Sequence, residues 1–92
     1  MIEYVDVVAV KPIGDYRVWV QFSNGREGVR DFSAMIAGGG EMIEPLRDKG
    51  LFQRVFVQHH APTWPNGYAI DATNLHMEME REHLLSPAAA AE

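Results

Sequence analysis

Histidine is the residue type in this sequence best suited to metal binding or proton transfer, and the chain has 4 of them. His59 and His60 are adjacent, and adjacent residues of a strand point to opposite faces, so the two imidazoles cannot easily bind one metal ion. A turn is predicted directly after them, at residues 61–62. We therefore interpret His59 and His60 as solvated turn residues, and a metal-ligand or acid–base role is the alternative.

A second group of candidate ligands lies near the end of the chain. His76, Glu80 and His83 follow one another at i, i+4 and i+7, so a helix would carry them on one face. Their order differs from the His-Glu-x-x-His pattern, in which two imidazoles one turn apart hold zinc. The sequence favours a solvated helix face, and a metal site that includes His76 and Glu80 is the alternative.

The sequence lacks the motifs of nucleophilic catalysis and of phosphate binding. No serine or threonine stands in a nucleophile-elbow pattern, and Ser33 is better explained as a helix cap, with Asp31 as the alternative cap. The three glycines at residues 38–40 follow a predicted helix, and no Gly-Lys-Ser/Thr completes a phosphate loop. We therefore predict no catalytic residue, no metal ligand, no cofactor and no enzymatic activity; a small enzyme or metal-binding protein that uses the histidines is the alternative.

Alternating side chains predict the strands that position the other candidate residues. Residues 5–10 are rich in β-branched residues, and residues 16–22 alternate between an apolar face and a face that carries Arg17 and Trp19. The Asn-Gly pair at residues 24–25 favours a two-residue type I′ turn. Such a turn would place Val20 opposite Val29 in the core and Trp19 opposite Arg30 on the outer face.

The rest of the chain is predicted to contain short helices and further strands. Helical segments are predicted at residues 33–37, in a turn from Pro45 to Gly50, and at residues 73–85, with a cap within residues 71–73 that begins at Asp71. Strands are predicted at residues 51–59 and from residue 63. Hairpin connections without crossovers favour an α+β fold, with a small, mostly antiparallel sheet, short helices and a C-terminal helix. We expect residues 1–86 to form a single domain and residues 87–92 to form a frayed tail.

Two tryptophans and two arginines are the candidates for an interaction surface. Trp19, between Arg17 and the predicted position of Arg30, is either a core residue covered by a helix or an interface anchor, since Trp and Arg dominate binding hot spots. Trp64 precedes a Pro-Asn-Gly segment, and we expect it to hold that loop in place by packing; a binding role is the alternative. The candidate surface therefore comprises Arg17, Trp19, Arg30 and Trp64.

Composition narrows the function classes. The chain has 92 residues, no cysteine and a formal net charge of −5, with 8 basic and 13 acidic residues. This balance disfavours binding to a phosphate backbone, which needs clustered Lys and Arg. The first residues lack a basic signal-peptide region, and no apolar run approaches the length of about 20 residues that spans a bilayer. We expect a cytoplasmic protein that binds no membrane.

Three motifs in order resemble a bacterial family of small proteins, domain-of-unknown-function family 2442. The resemblance covers roughly residues 1–77 and rests on Phe22-Ser23-Asn24-Gly25-Arg26 leading to Asp31, on Pro45-Leu46-Arg47-Asp48 with Leu51-Phe52, and on Trp64-Pro65-Asn66-Gly67 with Ile70-Asp71 and Leu75. It implies a compact α+β domain and brings no catalytic residues. Some members append a helix-turn-helix segment and look like DNA-binding regulators. Gene neighbourhood also associates members with an antitoxin-like partnership with a second small protein.

Together these observations favour a non-enzymatic protein-interaction or regulatory module, such as an antitoxin-like partner of a neighbouring gene's product. A homodimer is also compatible with a chain of this size, because small domains bury little surface alone. A DNA-associated regulator that acts as a dimer is a further alternative, although we expect little nucleic-acid binding from the scattered basic residues.

Overall fold

Three antiparallel strands form the larger sheet in the computed structural model, which describes residues 4–86. They are β1 (Val7–Gly14), β2 (Arg17–Phe22) and β3 (Glu27–Asp31), and β2 lies in the centre. On β2 the alternating apolar side chains point into the core, where Val18, Val20 and Phe22 are buried. The predicted alternation of this strand is therefore confirmed from residue 17 onward.

The helices and a second small hairpin follow in the order α1 (Ser33–Gly38), a 3₁₀ helix (Glu44–Arg47), α2 (Lys49–Phe52), β4 (Phe56–Gln58), β5 (Ala61–Thr63) and α3 (Ala72–Arg81). β4 and β5 pair antiparallel, so both sheets are antiparallel and the α+β class is confirmed. The predicted tail at residues 87–92 lies outside the described residues. In residues 4–86, no helix is long and apolar enough to cross a membrane.

The predicted strand at residues 51–59 is wrong in its first half. The Asp48 carboxylate accepts a hydrogen bond from the Gly50 backbone N–H at 2.9 Å and caps α2. Gly50 therefore lies inside a helical turn and does not end one. That turn carries Phe52 into the core, and only Phe56–Gln58 is left to form the strand.

The first hairpin turns at Asp15 and Tyr16, which have φ angles of 49° and 63°. Positive φ at both central residues is the geometry of a two-residue type I′ turn. Tyr16 therefore lies in the turn and outside β2, but its side chain still packs against the core, as its place in the alternation predicted. Its hydroxyl donates to the backbone oxygen of Arg47, and its ring packs edge-on against Phe52 at 5.2 Å.

The second hairpin corrects the predicted register. The Phe22 backbone N–H donates to the Arg26 oxygen at 2.9 Å, which encloses three loop residues, and Gly25 has a φ of 88°. This is the pattern of a three-residue loop with glycine in the left-handed position. Val20 consequently pairs with Gly28 and Trp19 with Val29. A shift of one residue exchanges the two faces of a strand, so Val29 points outward and Arg30 inward.

The inner face of the larger sheet packs against α3. Asp71 begins the helix by accepting a hydrogen bond from the Asn74 backbone N–H at 2.8 Å, as its position predicted. Leu75 and Met79 are buried under the sheet. The helix ends at Arg81, four residues before the predicted end, and the chain then turns back onto β3.

Gly28 is the position where the chain after α3 comes closest to the sheet. A Cβ atom at Gly28 would lie 2.2 Å from the backbone oxygen of Leu84. The Ser86 backbone N–H then donates to the Glu27 oxygen at 2.8 Å. Glycine is required here because no side chain would leave room for the returning backbone.

Candidate interaction surface

The outer face of the larger sheet carries apolar side chains that the described chain leaves open. Trp19 lies in its centre, opposite Lys11 of β1 on one side and opposite Val29 of β3 on the other. Together with Ile13 these residues line an open depression of about 410 Å³. We call these four residues, Lys11, Ile13, Trp19 and Val29, the outer-face patch.

Exposure distinguishes this patch from an ordinary core. Ile13 and Val29 are 39% and 36% exposed, whereas Val18 and Val20 on the other face of the same sheet are at most 1% exposed. Single exposed apolar side chains are common on protein surfaces, but a contiguous group around a tryptophan is not. The patch therefore groups one aromatic and two aliphatic side chains at one accessible place on the outer face.

A hydrogen bond sets the orientation of the Trp19 ring. Its Nε1 donates to Oε2 of Glu27 at 3.1 Å, across to the neighbouring strand. Glu27 lies opposite Gln21, two residues along β2 from Trp19, so the indole lies diagonally across β2 and β3. The indole N–H thus already has a hydrogen-bond partner within the chain, and the apolar face of the ring is available to contact another molecule.

Charged residues border the patch at the end of the sheet where α1 begins. Arg17 lies directly opposite Asp31. Hydrogen bonds from Ser33, first from its side chain and then from its backbone N–H, hold the pKa of Asp31 below its ordinary value of 3.8, and the charge of Arg17 acts in the same direction. Asp31 is therefore ionised at neutral pH, and the border carries one charge of each sign.

The four residues of the predicted surface do not lie together. Arg17 and Trp19 are on the outer face, as predicted. Arg30 is on the inner face because the register differs, and its Nη2 lies 3.3 Å from Oε1 of Glu78 on α3. Trp64 is 1% exposed, and its Nε1 donates to the Phe52 oxygen at 2.9 Å, which confirms that it packs its loop in place.

Sequence reasoning missed three residues of the patch. Val29 was expected in the core, and neither Lys11 nor Ile13 was a candidate. Lys11 and Ile13 follow from the pairing of β1 with β2, which sets Lys11 beside Trp19. The predicted strand ended at residue 10, whereas β1 continues to Gly14, so Lys11 and Ile13 lay outside every predicted strand.

The adjacent histidines occupy the turn of the smaller hairpin. His59 and His60 have φ angles of 52° and 63°, and the strands on either side pair Gln58 with Ala61. Both side chains are exposed. Their predicted position in a solvated turn is confirmed, although the turn contains His59 and His60 themselves and Ala61 already belongs to β5.

His76 is buried, and its predicted place on a solvated helix face is wrong. It is 3% exposed, its Nε2 lies 3.1 Å from Nδ2 of Asn24, and its ring packs edge-on against Phe22 at 4.8 Å. Glu80 instead forms an ion pair with Arg26, with 2.9 Å between Oε2 and Nη1. Residues 4–86 contain no group of three or more His, Cys, Asp or Glu side chains placed to hold a metal ion.

Comparison with known proteins gives one match. A family model described as "Protein of unknown function (DUF2442)" matches residues 7–80, a span that runs from the first residue of β1 to the last turn of α3. No curated protein and no solved structure matches the chain. The matched span contains the whole larger sheet, and with it the outer-face patch.

Proposed function

The chain belongs to the DUF2442 family, and we propose that it is a non-enzymatic protein-interaction module that binds a second small protein through the outer-face patch. One observation carries the proposal: Trp19 is held in the centre of an apolar sheet face that the described chain leaves open. In the antitoxin-like form of the proposal, the partner is the product of a neighbouring gene and the two proteins meet in the cytoplasm.

Physical reasons favour this face over other parts of the surface. Folding already buries the apolar residues of the inner face, so the outer apolar side chains are not needed to complete that core. A large, rigid aromatic ring gives much contact area for little loss of side-chain entropy. Lys11 within the patch and Arg17, Glu27 and Asp31 around it carry two charges of each sign, and a polar rim around apolar side chains is the usual anatomy of a protein interface.

Binding between this chain and the neighbouring gene's product, each purified separately, tests the proposal. We expect a one-to-one complex in calorimetry, and we expect Trp19→Ala to weaken it by about 30-fold or more, as for a hot-spot residue. Phe56→Ala is the matched control, because Phe56 is also an exposed aromatic residue, 40% exposed, but lies on the smaller sheet. Its affinity should equal that of the unsubstituted chain.

Two results would overturn the proposal. One is that the two proteins do not bind; the other is that they bind with an affinity that Trp19→Ala leaves unchanged. Light scattering of the chain alone distinguishes a homodimer from a complex with a different protein. If a second copy covered the patch, the chain would have the mass of a dimer, and Trp19→Ala would reduce it to the mass of a monomer.

A further inference from the structure

A second concave region lies on the α3 side of the larger sheet, away from the outer-face patch. It is a cleft of about 430 Å³ between α1 and α3. Phe32 and Leu75, both buried, form its floor, and Met35 and Tyr68 stand beside it. Its volume is in the range of small-molecule sites, which are mostly apolar with a few placed polar groups.

Charges at the polar end of the cleft compensate each other. The Arg30 guanidinium lies 6.0 Å from the centroid of the Phe32 ring, and its Nη2 lies 3.3 Å from Oε1 of Glu78. Glu82, which does not line the cleft, lies 3.6 Å from Nη1 of Arg30. Within the lining, a carboxylate ligand would therefore meet Glu78, and an ammonium ligand would meet Arg30. An uncharged ligand is repelled by neither the carboxylate nor the guanidinium, and its binding does not remove water from a charged group.

Tyr68 provides a polar group for such a ligand. Its hydroxyl donates to Sδ of Met35 at 3.7 Å, and a thioether sulfur is a weak acceptor. A hydroxyl or carbonyl oxygen in the cleft would be a better partner for the Tyr68 hydroxyl. The rings of Phe32 and Tyr68 and the flexible Met35 side chain can contact an aromatic or branched aliphatic body.

From these contacts we infer a small-molecule site: the cleft between α1 and α3 binds an uncharged molecule with an aromatic or branched aliphatic body and one hydroxyl or carbonyl oxygen. That oxygen accepts from the Tyr68 hydroxyl, and the apolar body lies over Phe32 and Leu75. The site is separate from the outer-face patch, and the inference does not depend on the proposed interaction with a protein.

Three probes that share one ring test the charge argument. Benzyl alcohol, benzoate and benzylamine carry neutral, negative and positive head groups, and each is titrated into ¹⁵N-labelled full-length chain. We expect benzyl alcohol to bind with millimolar affinity, about fivefold or more tighter than either charged probe. The shifted amides should be those of Ala34, Tyr68 and Asn74, and the Trp19 indole signal should not move. Equal affinities, shifts centred on Trp19, or no saturable shift with any probe would overturn the inference.

Two substitutions on α1 separate binding in the cleft from general effects. Ala34 lines the cleft and is exposed, so Ala34→Leu places a larger side chain in the site without disturbing the core. Ala37 is exposed on the same helix and does not line the cleft, so Ala37→Leu is the matched control. Benzyl alcohol should bind to Ala37→Leu as to the unsubstituted chain and should no longer bind to Ala34→Leu; equal binding to both variants would contradict the site.

Tyr68→Phe tests the hydrogen bond itself. The ring stays and the hydroxyl is lost, so affinity for benzyl alcohol should fall about fivefold while affinity for toluene, which has no oxygen, stays the same. If both ligands lose affinity equally, Tyr68 contributes contact area and not a hydrogen bond, and its assigned role is wrong.

Discussion

The two faces of the larger sheet carry similar side chains in very different surroundings. Val18, Val20 and Phe22 on the inner face belong to the core and are almost fully buried, whereas Trp19, Val29 and Ile13 on the outer face are exposed or half-buried. Residue type alone does not tell these faces apart. What distinguishes them is that the inner face is needed to fold the chain, so the apolar character of the outer face needs a different explanation, which the proposed binding role would supply.

A matched pair of valines gives the largest expected difference between the faces. Val20 is fully buried and Val29 is 36% exposed on the neighbouring strand. Val20→Ala should lower the free energy of unfolding by about 2–3 kcal/mol, because a cavity is left in the core. Val29→Ala should change it by less than about 0.5 kcal/mol. Urea denaturation measures both, and similar losses would show that the outer face also belongs to the core.

Substitution of the buried His76 measures how much the packing of α3 on the inner face contributes to stability. His76 contacts Phe22 of β2 and Asn24 of the hairpin loop, so it joins the helix to the sheet at two points. His76→Ala should cost about 2 kcal/mol, from lost packing and from a lost hydrogen bond. His83→Ala is the control, since His83 is exposed after the end of α3. Equal effects on the melting temperature would contradict the buried position of His76.

Substitution of Gly28 tests whether the segment that follows α3 packs against β3. Gly28→Ala should cost about 1–2 kcal/mol, because its Cβ would lie 2.2 Å from a backbone oxygen that must move away. Gly38→Ala, where a Cβ meets nothing within 4 Å, should be neutral or stabilising by up to about 1 kcal/mol. Hydrogen exchange at the Ser86 amide measures the local effect directly. Unchanged protection in Gly28→Ala would show that the segment does not pack as described.

The smallest expected effect is at the border of the outer face. Ser33 donates to Asp31 and lowers its pKa, so the ionised form contributes stability that is present above the ordinary value of 3.8 and is lost as the pH falls through the lower folded pKa. Asp31→Asn should therefore be less stable than the unsubstituted chain at neutral pH. That difference should shrink as the pH falls below the ordinary value. A difference that stays constant with pH would exclude the ionised carboxylate as its cause.

Local sequence signals predicted the elements better than their connections. The alternation of β2 and the Asp71 cap of α3 were readable because each depends on a few neighbouring residues. The Asn-Gly pair suits both a two-residue turn and a three-residue loop with a left-handed glycine, so it could not decide the register. The register of the structure instead lets Arg30 reach Glu78 on α3, a contact between residues far apart in the chain.

The turns of the other two hairpins were hard to predict for a different reason. Asp15-Tyr16 and His59-His60 adopt positive φ angles without glycine, which costs backbone energy. Asp and His are more common at such angles than most residues are, but neither is as clear a signal as glycine. Their turns are fixed by the strands that pair on either side. His76, by contrast, did have a signal: Ala72, Leu75 and Met79 form an apolar stripe at helical spacing, and His76 falls on the same stripe. The prediction placed His76 on the solvated face because histidine is polar, although its position on the stripe indicated burial.

The two tryptophans differ in exposure, so one can serve as an internal reference for the fluorescence of the other. Trp64 is sealed in the core, whereas Trp19 lies half-buried on the outer face. A solute quencher such as iodide should therefore reach Trp19 and not Trp64 in the folded chain. A molecule that covers the outer face would hide Trp19 from iodide and leave Trp64 unchanged, whereas unfolding would expose both. The same fluorescence spectrum thus distinguishes docking from denaturation without any added label.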